Sequence, residues 1–256
     1  MGAVIGDRDL SRLRREHYAV LAQIFMAGPT GELLEALSGD ILARSRGAAQ
    51  MDLTLAEGWR ALRDLFQDGG PPAWVQRCDD EYMRLFVGPG VPEATPSESY
   101  YRTGKVYDEP LAWVREFMEE VGLERAGEIS DSEDHIAFEF EIMRYLISKQ
   151  EAAPDPDGES KWLDLQGKFL RRHLATWAPN FFLELEGKES APFYGAMAKV
   201  GRGFLAWEGR ILARFGPPAE EAALRPLASR GGWKGPLFDP KPPGTTPESP
   251  EGRKNE

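Results

Sequence analysis

Apolar residues in this chain recur every three or four positions in run after run, and no stretch alternates two by two for long enough to make a convincing strand. Leu10, Leu13, His17, Leu21, Ile24 and Phe25 mark one face of a helix over 9–25. After Pro29-Thr30-Gly31, with Thr30 as cap, a second runs over 32–42. Further helices are predicted over 53–66 and over 73–86, where Trp74, Cys78, Tyr82 and Leu85 share a face. The pattern then stops for VGPGVPEATPSESYYRTGKVYDEP, whose prolines and glycines mark a long ordered loop or hinge. It resumes with Leu111, Val114, Phe117, Met118 and Val121, closed by Gly122. Next comes a helix opened by a Ser130/Glu133 capping box, with Asp134 and His135 in its first turn and Ile136, Phe140, Met143 and Ile147 facing the core. Two more helices follow, Trp162 to Trp177 and Pro192 to Ile211. From Gly216 onward, nine prolines in 41 residues predict a disordered tail. The fold class expected is all-α, a bundle of about nine to eleven helices. It divides into a helical subdomain (1–87), a hinge loop (88–108), a second helical subdomain (109–215) and a Pro-rich tail (216–256).

Charge adds a direction to this picture. The net charge of −11 argues against nucleic acid as a partner and for something basic. Twelve acidic residues lie between Asp108 and Glu141 against only Arg115 and Arg125, so this segment is where a cationic ligand or peptide would be drawn. A single cysteine, Cys78, excludes an internal disulfide and sits at core spacing. No apolar run approaches the ~20 residues of a membrane span, which predicts a soluble, cytoplasmic protein. Arg14-Arg15 resembles a twin-arginine export signal, but Glu16, His17 and Gln23 interrupt the apolar stretch such a signal needs.

Most enzyme signatures are missing: the chain has no CxxC, HExxH, GxxxxGK[ST] or GxSxG. Gly201-Arg202-Gly203-Phe204-Leu205-Ala206 matches GxGxxA, yet it lies inside a helical pattern with no strand before it, so a dinucleotide site is not expected. The three histidines, His17, His135 and His173, fall on separate predicted helices, and neither a metal nor a cofactor is expected. Asp134-His135 stands apart. A charged histidine is disfavoured at a helix N-terminus, and three readings stay open for the step: capping and packing, ligand or peptide recognition, and acid-base or metal chemistry.

Several stretches together carry a resemblance. EYMRLFVGPG (81–90), PSESYY (96–101), EDH followed by IAFEFEIMRYLI (133–147), HLATWAPNF (173–181) and APFYGAMA (191–198) resemble, in order, the TorD/DmsD family of redox-enzyme maturation chaperones. Two positions depart from the family pattern: Ser132-Glu133 precedes Asp134-His135 where the family has proline before Asp-Asp-His. The resemblance implies an all-helical chaperone without turnover. Such a chaperone binds the twin-arginine signal peptide or N-terminal segment of the catalytic subunit of a dimethyl sulfoxide reductase-type molybdenum or tungsten enzyme, delaying export until cofactor and subunits are in place. It implies a monomer or a homodimer, in some cases domain-swapped. Carried over onto this chain, the recognition residues are Asp134 and His135 with Glu133. Tyr82, Phe86, Glu98, Ser99 and Tyr101 are groove and loop contributors, although Tyr82 and Phe86 also fit a core stripe. Two alternatives are a metal-dependent hydrolase built on the acidic segment and His135, and a guanine-nucleotide-responsive regulator, for which no phosphate loop is present.

Overall fold

The computed structural model describes residues 8–88, 92–125, 131–214 and 238–240. Among them are ten α-helices: α1 (Arg8–Ala27), α2 (Gly31–Met51), α3 (Leu53–Phe66), α4 (Gly70–Tyr82), α5 (Glu98–Thr103), α6 (Glu109–Glu120), α7 (Ile136–Glu151), α8 (Pro156–Arg172), α9 (Leu174–Glu186) and α10 (Pro192–Leu212). The all-α expectation is met. Local chemistry sets many of the starts. Thr30 Oγ1 accepts from Leu33 N at 3.2 Å, Asp52 from Thr54 N at 2.8 Å and Asp155 from Gly158 N at 2.8 Å. Proline occupies the first turn of α4, α6, α8 and α10, where its missing N–H costs nothing.

One continuous core joins the helices, with α1 lying on α7 and α10 on both α3 and α9. Its centre is aromatic: Phe25 packs against Phe181, Phe182 and Tyr194 with ring centroids 5.6 to 5.9 Å apart. Gly201 and Gly203 let α10 come this close. A Cβ on Gly203 would run into the backbone of Leu55 in α3, and one on Gly201 into the Phe182 ring. The GxGxxA match is therefore a packing notch between helices. Gly203→Ala is expected to cost about 2 kcal/mol by overpacking, because a backbone neighbour has no rotamer to yield. Denaturant unfolding checks this, and a change within about 0.5 kcal/mol would show that the helices part freely.

Four expectations need correction. The helix expected over 162–177 is two helices, because the chain leaves the helical region at His173 (φ −119°, ψ −93°), whose imidazole turns inward. The helix expected over 73–86 is α4 followed by a π-helical turn at Met83–Val87. The segment 88–108 holds α5. The helix after the acidic segment opens at Ile136 with His135 as its cap, not through a Ser130/Glu133 box, and Ser130 lies outside the described residues. Of the expected disordered tail, only Phe238–Pro240 is among the described residues; it forms a strand, β2, antiparallel to β1 (Leu123–Arg125), and the rest lies outside them. No helix among the described residues is long and apolar enough to cross a membrane.

Candidate functional site

Two loops close on each other in front of α7. Ser97 and His135 form an antiparallel bridge, Glu98 N donates to Asp134 O at 2.8 Å and Ile136 N to Pro96 O at 2.8 Å. The Asp134 carboxylate sits inside this junction with no exposed surface. Its Oδ2 accepts from Ser97 Oγ and from Ser99 N, both at 2.8 Å, and its Oδ1 from the Ser132 hydroxyl. Asp134 thus caps α5, a helix some 35 residues upstream, while Ser97 makes no side-chain cap of its own.

His135 caps α7 through Nδ1, which accepts from Ala137 N at 3.2 Å. Only a neutral ring offers that acceptor. Burial, partly opposed by the charge of Asp134, lowers the imidazole pKa to about 4, so the ring is neutral and carries its proton on Nε2. A neutral ring also removes the objection to histidine at a helix N-terminus. His135 lines a cleft with Thr95, Pro96, Ser97, Val106, Tyr107, Asp131 and Ser132, whose room of about 20 Å³ holds little more than one water. At its rim Tyr107 is 64% exposed and has φ +58°, the one non-glycine residue in the left-handed region among the described residues.

Behind the junction lies a buried polar network. Glu98 and Glu139 both have no exposed surface. Glu98 Oε2 is 2.8 Å from His173 Nδ1, and Oε1 accepts from the Arg102 guanidinium. The Trp177 indole N–H donates to Glu139 at 3.2 Å, and Tyr101 donates to Glu184 at 2.6 Å. A second carboxylate works as Asp134 does: Glu81, 4% exposed, accepts from Phe193 N at 3.3 Å and Tyr194 N at 3.1 Å and so caps α10. Burial raises its pKa to about 7, with the two backbone N–H groups pulling the other way.

The structure brings Glu98, Ser99, Tyr101, Asp134 and His135 to one place. Glu133 lies at its edge, held by Arg115 at 2.8 Å and Arg125 at 3.6 Å. Tyr82 and Phe86 belong to the aromatic core. The Tyr82 hydroxyl donates to Met26 O at 2.5 Å, and Phe86 lies 5.3 Å from Tyr194. Of the eight residues, only Tyr82 keeps appreciable exposure. Four of the acidic residues between Asp108 and Glu141, namely Asp131, Glu133, Asp134 and Glu139, are buried, and among the described residues of this segment the exposed acids are Glu109, Glu116, Glu119, Glu120 and Glu124, with Asp108 and Glu141 half-buried. Residues missed as partners were Glu81, Glu139, His173 and Trp177. No group of three or more His, Cys, Asp or Glu side chains among the described residues is arranged to hold a metal. His17 is stacked on Phe204 and bonded to Leu13 O at 2.8 Å.

Residues 48–183 match the family described as nitrate reductase delta subunit. The chain is 32% identical over 84 residues to the chaperone protein TorD of Aeromonas salmonicida, covering 33% of this chain and 39% of that protein. It is 27% identical over 125 residues to a protein of Haemophilus influenzae named as a Tat proofreading chaperone, DmsD, covering 48% of this chain and 56% of that one. A crystal structure from Archaeoglobus fulgidus, described as that of a redox enzyme maturation protein, superposes with a TM-score of 0.45 at 22% identity, covering 75% of this chain and 93% of that one. The chain thus spans about half the length, or less, of the first curated relatives it matches.

Proposed function

This chain belongs to the nitrate reductase delta subunit family, that of the TorD and DmsD chaperones, and on that premise we propose that it is a cytoplasmic chaperone for a redox enzyme. The client is the catalytic subunit of a molybdenum or tungsten oxidoreductase, held by its signal peptide or N-terminal segment until assembly is complete. The observation that carries this reading is the loop junction at Ser97 and Asp134. It joins PSESYY to the EDH step and leaves between them a cleft lined by Tyr107, Asp131 and His135, while α6, which follows in the chain, carries exposed Glu109, Glu116 and Glu119. An extended segment with basic and apolar residues meets there a negative surface and the exposed Tyr107 ring. The eight recognition residues then act mainly as the frame of the docking face, since their polar atoms are engaged inside the protein. Residues 88–108 are the hinge between the two helical subdomains in this reading, and exchange of subdomains between two copies is its route to a dimer.

Co-purification from the native cytoplasm identifies the client, and calorimetry with a peptide of its N-terminal segment tests the contact. The dissociation constant is expected to rise about tenfold or more between 50 mM and 500 mM salt, because exposed charges are screened beyond ~8 Å at physiological ionic strength. A constant independent of salt would remove the acidic surface from the recognition. Failure of any oxidoreductase to co-purify would remove the chaperone reading itself.

A further inference from the structure

Tyr107 is held in a backbone conformation that nothing in its own packing compensates. Its φ of +58° lies in the left-handed region, where a side chain with a Cβ is disfavoured and a bulky one is an outlier. The other six residues with positive φ among the described ones are all glycine, including Gly104 three positions earlier in the same loop. Glycine or asparagine would sit at position 107 with less strain. The ring is 64% exposed and makes no hydrogen bond or aromatic contact among the described residues. Nor is it a hydrophobic staple. Tyr107 precedes Asp108, the N-cap of α6, and an apolar residue there commonly packs against the fourth residue of the helix, but that residue is Ala112, which is itself exposed. Strain of this kind, with no packing behind it, is characteristic of a binding position.

What the ring binds follows from its surroundings. It stands at the rim of the cleft, whose walls include the carboxyl group of Asp131, 4% exposed, and no lysine or arginine among the described residues. The histidine there, His135, is neutral, because its Nδ1 accepts from Ala137 N. Asp108 and Glu109 follow Tyr107 in the chain, against one cation, Lys105, within two residues of it. An aromatic face among carboxyl groups suits a cation. Of the two cationic side chains, the planar and weakly hydrated guanidinium stacks on a ring better than an ammonium does. The room inside the cleft admits little more than one water, so the cation is held at its mouth.

The geometry points to Tyr107 as the specificity-determining residue of the docking face, its exposed ring stacking on the guanidinium of an arginine in the client segment. This rests on the docking reading proposed above and adds to it the class of side chain that the face selects.

Calorimetry and melting curves on the full chain test it, with a synthetic peptide that carries two adjacent arginines ahead of an apolar run as the probe. In Tyr107→Asn the melting temperature is expected to hold or to rise by about 2 °C, since asparagine tolerates positive φ and no packing is lost, while the dissociation constant rises about tenfold. Tyr107→Trp keeps an aromatic face and should bind within about threefold of the original. Replacing the peptide's arginines by lysines should weaken binding to the unaltered protein about fivefold and leave binding to Tyr107→Asn nearly unchanged, the coupling expected of a direct contact. The inference is overturned if the unaltered chain does not bind the arginine peptide, or if Tyr107→Asn binds it like the original. It is equally overturned if Tyr107→Asn loses affinity only together with several degrees of melting temperature, if Tyr107→Trp binds as poorly as Tyr107→Asn, or if lysine costs the same in both proteins. Should the arginine peptide bind in the expected pattern while no oxidoreductase co-purifies, the guanidinium site stands and the chaperone reading falls. Should an oxidoreductase co-purify while Tyr107→Asn binds its peptide as well as the original does, the reverse holds.

Discussion

Glu208→Ala is expected to lower the stability of the fold by about 3–5 kcal/mol, the cost of leaving a buried guanidinium without its partner. Arg14 is 2% exposed and Glu208 fully buried. The pair is bidentate, Arg14 Nε to Oε1 at 2.6 Å and Nη2 to Oε2 at 2.9 Å. Tyr18 adds a third donor to Glu208 at 3.1 Å, and Gln166 accepts from Arg14 at 2.6 Å and passes on to Gln150 at 3.0 Å. This chain of contacts ties α1, α7, α8 and α10 together. Burial alone would lower the Arg14 pKa, but Glu208 more than offsets it, so the residue stays charged at every accessible pH. Removal of Glu208 therefore strands a cation that has no neutral form to adopt. For a chain of this size the melting temperature should fall on the order of 10 °C. The double variant Arg14→Met/Glu208→Leu removes both charges and should lose less than Glu208→Ala alone. A single variant within about 1 kcal/mol of the original would mean that water reaches Arg14 and the pair is not sealed.

The helices were legible because their stripes repeat over three turns or more. All five residues expected on the core face of α6, Leu111, Val114, Phe117, Met118 and Val121, are buried. Thr30 was legible as a cap because its partner is three residues away. What escaped were acids and bases on apolar faces. Glu208 lies four residues after Phe204 and three before Ile211, and Glu139 three after Ile136; Arg14 lies four before Tyr18. Their spacing placed them in the core while their charge argued for solvent, and a partner on a distant helix decided the matter. The break at His173 was illegible for a related reason: what turns the ring inward is Glu98, 75 residues earlier. At six residues, α5 is shorter than two helical turns and shows no period inside a proline-rich loop. Part of the candidate site was readable, in that Asp134, His135, Glu98 and Ser99 do meet. Their roles were not, because each bonds across the chain rather than along it.

Asp134→Ala is expected to cost about 3 kcal/mol and to loosen α5 before it loosens anything else. Three donors converge on this carboxylate, the Ser97 and Ser132 hydroxyls and the Ser99 N–H, and alanine leaves them buried without an acceptor. The Ser99 N–H cannot rotate toward another partner, so the first turn of α5 frays, and with it the Glu98 end of the polar network. Asp134→Asn should lose about 1 kcal/mol only, since an amide oxygen can serve Ser97 and Ser99 while the Ser132 hydroxyl turns to accept from the amide nitrogen. If Asp134 acts by holding the docking face in shape, client affinity follows stability: weakened about tenfold in the alanine variant and near normal in the asparagine one. Were the carboxylate itself to take a client guanidinium, asparagine would bind as poorly as alanine while melting close to the original. His135→Asn separates the neighbouring role in the same way. Asparagine is as good a cap for α7 as the imidazole but has no Nε2–H to aim into the cleft, so a stable variant with about tenfold weaker binding would place that N–H against the client. Hydrogen exchange at residues 98–103, melting curves and peptide calorimetry together decide among these outcomes. Full protection of α5 in Asp134→Ala would show that the helix is held by its other contacts and that the cap is incidental.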